Sequence, residues 1–219
     1  MPKIPQKLKE NRREAILQAA VDCLAKHGLA GTSMRTIAEA VGLTKGGLYP
    51  YFENKEAILA AVVERYVGQQ LELLEPREGM SPADQLTAFM ESFMMAGLDP
   101  KMAATQRGFI DLWTSAGDVP AVRASIEHRF AAFLSAIAAL VRRGQEEGAF
   151  RREVDPDHVA GLILAARDGM VFQHVKLRAT IPLAELTGFL RRLLLDQLQP
   201  PEAPRAPSGG RRARAGADA

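Results

Sequence analysis

The 219-residue chain has little of what marks several large protein classes. It has one cysteine, Cys23, so no intramolecular disulfide can form, which fits a reducing compartment. Its four histidines, His27, His128, His158 and His174, are scattered without metal-ligand spacing, and no metal site is expected. No window approaches the roughly 18 uninterrupted apolar residues of a membrane span. The opening Met-Pro-Lys-Ile-Pro-Gln-Lys has no apolar run after its positive charges and so does not read as a secretory signal. A cytoplasmic protein without membrane contact is expected. No stretch alternates at period two, so no strand is predicted, and no internal repeat is visible. Glycine-rich phosphate loops, nucleophile elbows and metalloprotease motifs are missing. No catalytic residue and no cofactor are assigned, and the chain is not expected to be an enzyme.

What is present is helical spacing. Apolar residues make up 47% of the chain and charged residues 25%, enough to bury a core. A first helix is predicted over residues 8–27, with Ile16, Leu17, Ala20 and Leu24 on one face and Gly28 as its stop. Residues 1–8 read as polar and mobile. Ser33 caps a second helix in which Met34, Ile37, Ala38 and Val41 recur at helical spacing. Gly42 ends it, and Thr44 caps a very short third helix reaching about Tyr51. Further helices are predicted over residues 54–74, 82–97, 102–116, 118–147, 155–177 and 182–198. In the 118–147 helix, Ile126, Phe130, Phe133, Ile137 and Leu140 form a packing seam. From Pro200 the chain is Pro, Ala, Gly, Ser and Arg, a composition that predicts a disordered tail over 200–219.

Charge is unevenly placed. Residues 1–56 carry nine Lys/Arg against six Asp/Glu, a net of +3, and residues 200–219 a net of +2, which leaves −3 for the rest. A basic head on a mildly acidic body suits a polyanion at one end. The stretch 33–56 has the physics of a helix-turn-helix. Its apolar face packs on Leu43 and Leu48 beyond the turn, and on the first helix. Ala38 is small where helices cross, and Gly42 can take the left-handed conformation of a sharp turn. The next helix presents its N-terminus, with Lys45 and two glycines, to a phosphate backbone.

These residues resemble a known family. Gly31-Thr32-Ser33, Ile37-Ala38, Gly42-Leu43-Thr44-Lys45-Gly46, Leu48-Tyr49, Tyr51-Phe52 and Lys55-Glu56 are similar, in register, to the DNA-binding domain of the TetR family. The resemblance covers about residues 10–65. A fainter one runs from Gly148-Ala149-Phe150 through Asp155-Pro156 to Asp168-Gly169. The resemblance of the head implies that Thr44, Lys45 and Gly46 face the major groove, with Lys45 donating to guanine or phosphate. Tyr49, Tyr51 and Lys55 would contact flanking phosphates, and Ser33 and Arg35 the backbone from the second helix. Leu48 and Phe52 would be core. Pro50 departs from the family pattern. It removes the hydrogen bond to the Gly46 carbonyl and disfavours helix at Tyr49, so the recognition helix is expected to end early or tighten. The basic run Lys3, Lys7, Lys9, Arg12, Arg13 is a flexible end or a groove-reading arm, and Cys23 is a core thiol.

The body carries Phe89, Met90, Phe93, Met94, Met95, Met102, Phe109 and Trp113, a set that fills a core or lines a pocket for apolar ligands. Phe93, Met94, Phe109 and Trp113 are the candidate ligand residues. Arg107 and Asp111 are spaced for an i,i+4 ion pair, and Gln173 and His174 for ligand or water. The last helix is apolar around too much of its circumference to be covered by one neighbour. Residues 156–177 and 183–198 are therefore expected to form a four-helix bundle across a two-fold axis. The predicted protein is all-α. Residues 1–53 form an N-terminal three-helix helix-turn-helix DNA-binding domain, and residues 54–199 a C-terminal helical ligand-binding and dimerisation domain. Its expected partners are a palindromic double-stranded operator, a second copy and a small apolar effector that releases a repressor. An activator or ligand-independent regulator with the same head is the alternative, and a helical enzyme carrying a helix-turn-helix is a third.

Overall fold

A computed structural model describes residues 6–95, 103–114, 120–177 and 182–200, and every regular element among them is a helix. The order is α1 (Gln6–Gly31), α2 (Met34–Ala40), a 3-10 helix (Lys45–Leu48), α3 (Lys55–Leu71), α4 (Pro82–Met95), α5 (Ala103–Thr114), α6 (Pro120–Glu146), α7 (Pro156–Lys176) and α8 (Leu183–Leu198). The expected tail beyond Pro200, Lys3, Met102 and the start proposed at Asp118 lie outside the described residues.

The helix starts follow side-chain chemistry. Ser33, Thr44, Asn54 and Asp155 each accept a hydrogen bond from a backbone N–H of the first turn they open, satisfying donors that the helix itself leaves unpaired. The first helix is longer at both ends than its spacing predicts. It begins at Gln6, so residues 6–8 are helical rather than mobile. Gly28, with φ of 65°, interrupts it without stopping it, and a last turn continues to Gly31. Thr32 seals the interruption, its hydroxyl donating to the Gly28 carbonyl at 2.7 Å.

Two separate cores result. The head core joins Ile16 and Ala20 of α1, Ile37 and Ala38 of α2, Leu48, and Ile58 and Val62 of α3. The body core takes Leu24 of α1 and Leu59 and Val63 of α3, and runs on through α4 to α8. Ile58 and Val62 share one stripe of α3, and Leu59 and Val63 the next. α1 and α3 thus belong to both units, each with a different face.

α6 is the axis of the body, packed against α3, α4, α5 and α7. It is long and apolar enough to cross a membrane by length and composition, but Val122, Phe133, Ile137 and Val141 are buried against its neighbours. Of the predicted seam, Phe130 is exposed while Phe133, Ile137 and Leu140 are buried. Near its end Gly144 leaves room for the Phe150 ring, where a Cβ would stand 2.1 Å from Cδ2. Phe150 is itself fixed by its N–H to the Gly144 carbonyl, 2.9 Å. Gly144→Ala must therefore expel the ring from the core. We expect a loss of about 2 kcal/mol or more, read as a lowered urea midpoint; an unchanged midpoint would mean that Phe150 is not packed there.

Candidate functional site

The head presents the better defined site. α2 is short and held at both ends. Ser33 and Thr36 cap it reciprocally, the Thr36 N–H donating to Ser33 Oγ at 3.2 Å and the Ser33 N–H to Thr36 Oγ1 at 2.9 Å. Gly42, φ 67°, turns the chain, and the Leu43 N–H returns to the Ala38 carbonyl at 2.9 Å. Thr44 then caps the next turn by accepting from the Gly47 N–H at 3.2 Å. Leu48 and Phe52 are buried, as the resemblance implies, and fix that turn to the head core.

The recognition segment is tightened, and Pro50 supplies the reason. Instead of an α-helix it is a 3-10 turn, followed by N–H bonds from Tyr51 and Phe52 to the Leu48 carbonyl at 2.9 and 3.0 Å. The expectation that Pro50 drives Tyr49 out of helical space does not hold. Tyr49 keeps φ −59° and ψ −29°, a shallower ψ that belongs to 3-10 geometry. Thr44, Lys45, Gly46 and Tyr49 lie exposed along this segment and its edges, Tyr49 at 52%.

The other predicted contacts are placed differently. Arg35 is exposed and paired with Glu39 at 2.8 Å. Tyr51 is half-buried, and its carbonyl accepts from Arg13 at 3.4 Å. The Arg13 guanidinium also sits 4.3 Å over the Phe52 ring. Arg13 is therefore part of the head, tying the start of α1 to the end of the recognition segment, and not a free arm. Lys55 donates to the Leu29 carbonyl at 3.0 Å, closing the end of α1 with one of its three donors. Cys23 is buried, and burial pushes its thiol up from the ordinary value, which makes it a poor nucleophile.

The body holds a partly enclosed cavity of about 80 Å³ between α3, α5, α6 and α7. Val63, Ile110, Trp113, Ile126 and Val171 form its apolar wall. Gln106, Arg129, Arg167 and Asp168 form a polar end. Arg167 donates to Asp168 at 2.9 Å, and Arg129 lies 3.7 Å from the same oxygen. Arg129 also stacks 4.7 Å over Trp113. Of the four proposed ligand residues, Trp113 lines this cavity. Phe93 and Met94 are fully buried on α4; Phe93 lies behind the polar end, its ring 4.8 Å beneath Arg167 and stacked on Phe89 at 4.9 Å. The Phe109 side chain lies outside the described residues. Sequence reading missed Arg129 and Arg167. The available signal was the pair Arg167-Asp168 in the middle of an otherwise apolar helix. The Arg107–Asp111 pair is also replaced: Asp111 bonds Lys176 of α7.

The cavity is coupled to the head by packing. α5 supplies its wall, and at Gly108 the same helix lies so close to α1 that a Cβ would be 3.0 Å from Leu24 Cβ. Val63 belongs to α3, whose neighbouring stripe is head core.

Comparison with known proteins decides the family. Residues 16–62 match the bacterial regulatory proteins of the tetR family, and residues 82–199 match the C-terminal domain of BetI-type transcriptional repressors. The chain belongs to the TetR family. It is a TetR-type DNA-binding transcriptional regulator. The HTH-type transcriptional regulator YfiR of Bacillus subtilis is 22% identical over 174 residues, covering 78% of this chain and 83% of YfiR. A TetR transcription regulator from Haloarcula marismortui superposes with a TM-score of 0.75 at 21% identity, over 87% of this chain and 100% of that one. SmeT, the repressor of the Stenotrophomonas maltophilia multidrug efflux pump SmeDEF, gives 0.70 at 25% identity, over 87% and 91%.

Proposed function

We propose that this regulator is a dimeric cytoplasmic repressor, held on a two-fold symmetric operator and released when a small molecule fills the α3–α7 cavity. The observation that carries the reading is the shared use of helices. The cavity wall is built from α3 and α5, one of which is half head core while the other abuts α1 at Gly108. A ligand that separates these helices changes how the head sits on the body. It shifts the equilibrium only by its differential affinity for the two arrangements, and about a hundredfold, near 2.7 kcal/mol, suffices for control.

On DNA, the 3-10 turn enters the major groove with Thr44, Lys45 and Gly46, and Tyr49 reaches a flanking phosphate. Ser33 and Arg35 approach the backbone from α2. Tyr51 and Lys55, already engaged inside the head, hold the reading surface in place and add backbone contacts at its edge. The second copy docks on α7 and α8, where Leu162, Phe172, Leu186, Phe189 and Leu193 are exposed large apolar side chains. Leu186, Phe189 and Leu193 recur at i, i+3 and i+7, which makes one stripe. Leu194, by contrast, is buried, and Leu190 packs against the subunit's own core.

Selection from a randomised duplex library tests the proposal. The bound sequences are expected to be palindromes with half-sites about one helical turn apart or slightly more, one dimer per site. Recovery of asymmetric sites bound by single chains would overturn it.

A further inference from the structure

We infer that Arg13 is a positioning residue for sequence-specific DNA binding: from α1 it clamps the far end of the recognition segment, in place of the helical hydrogen bond that Pro50 removes. This deepens the DNA-binding reading above and rests on the 3-10 turn being the reading surface.

The recognition segment is held unequally at its two ends. At its start, Thr44 caps the turn by accepting from the Gly47 N–H, and the Leu43 N–H ties the approach to the Ala38 carbonyl of α2. Leu48 is fully buried beneath it. At its far end, a continued α-helix would bond the N–H of residue 50 to the carbonyl of residue 46, and proline has no such donor. The next two N–H groups, those of Tyr51 and Phe52, both converge on the Leu48 carbonyl at 2.9 and 3.0 Å. One acceptor serves two donors, and no further helix begins until Lys55.

Arg13 meets the chain at that point. Its guanidinium donates to the Tyr51 carbonyl at 3.4 Å and lies 4.3 Å from the centre of the Phe52 ring. The ring is buried, and the cation closes its outer side. A guanidinium can do both at once, because its plane stacks on a ring while its N–H groups point outward from the edge. Gln6, Lys9, Glu10 and Arg13 of α1 line a cleft against Pro50 and Tyr51. Gln6 and Glu10 bond each other along α1, whereas Arg13 reaches across. Tyr49 stands two residues before the clamped carbonyl, and Lys45 one turn earlier. Readout of base edges depends on hydrogen-bond geometry, while non-specific binding rests on charge. Loosening the clamp therefore costs specificity before it costs general affinity for DNA.

Fluorescence anisotropy of the full chain, on the selected duplex and on a scrambled duplex of the same length, tests this with Arg13→Ala and Arg13→Met, each also in a Pro50→Ala background. Methionine keeps an aliphatic cover over Phe52 while removing the donor and the charge, and it carries the test if the alanine variant does not fold. Losing one carbonyl bond and one cation–π contact per head is expected to weaken binding to the selected duplex about tenfold. Binding to the scrambled duplex is expected to stay within about threefold of the parent, with its salt slope unchanged. In the Pro50→Ala background, where the helical N–H is restored, the loss on the selected duplex is expected to shrink to about threefold or less, the mark of two coupled positions. A role confined to stability would weaken both duplexes together. A direct phosphate contact would weaken both and flatten the salt slope on the scrambled duplex by about 2. Either outcome, or a loss as large in the Pro50→Ala background as in the parent, overturns the inference. Lys45→Ala keeps the two readings apart. Parent-like binding by that variant fails the reading surface, whereas weakened binding by it beside unchanged binding by the Arg13 variants fails the clamp alone.

Discussion

The double variant Lys45→Ala, Tyr49→Ala is expected to lose about a thousandfold in operator affinity, with circular dichroism and oligomeric state unchanged. Each side chain lies outside the head core, Tyr49 is half exposed and Lys45 exposed, and the turn that carries them is capped by Thr44 and anchored by Leu48. Folding therefore does not depend on either. One contact to base or phosphate is worth about 1 kcal/mol or more. A symmetric site loses four contacts, about 4 kcal/mol, which is roughly a thousandfold. The salt dependence separates the two residues. Removing Lys45 from both heads releases fewer counterions and flattens the slope of log K against log salt by about 2, while removing the neutral Tyr49 leaves the slope near its parent value. Fluorescence anisotropy with the selected duplex at several salt concentrations measures both. Parent-like affinity in the double variant would move the reading surface away from the 3-10 turn.

The head was legible because its chemistry is local. Ser33, Gly42 and Thr44 each do their work within three or four residues of themselves, so spacing along the chain reveals them. Even the effect of Pro50 could be read in advance as a tightened helix, though not the fact that Tyr49 would stay helical. The body was legible in outline, since helix starts at Pro82, Pro156 and Pro182 announce themselves. Its site was not. Arg129 and Arg167 lie 38 positions apart in sequence and meet only because α6 and α7 pack side by side. Asp111 looked like a partner for Arg107 because periodicity knows only one helix, whereas its ion pair comes from Lys176 on another. Phe93 and Met94 looked like ligand residues because a core and a pocket call for the same side chains. Which of them faces a void depends on packing, and packing placed the void one helix further on.

The second large effect is expected from Phe189→Asp with Leu193→Asp, which should give monomers at micromolar concentration. The last helix is the element on which sequence is least decisive, because Leu186, Phe189, Leu190, Leu193, Leu194 and Leu198 surround most of its circumference. The structure divides them. Leu194 and Leu198 are buried within the subunit, while Phe189 is 56% exposed and Leu193 46%. Burying a large apolar side chain is worth about 1.5–3 kcal/mol, and two-fold symmetry counts each position twice. Replacing both positions by aspartate forfeits this and asks the interface to bury unpaired carboxylates, at a cost of further kcal/mol each. The subunit itself should stay folded, because neither side chain contributes to its core. Leu194→Ala supplies the contrast: it should lower thermal stability by about 2–5 kcal/mol without a specific effect on association. Sedimentation velocity reads the oligomeric state, and anisotropy the consequence for DNA. With one head per particle, binding loses the effective concentration that the second head provides, a factor of about 10²–10⁴. A Phe189→Asp, Leu193→Asp protein that still sedimented as a dimer would show that α8 is not the interface, and would leave its apolar stripe open to some other partner.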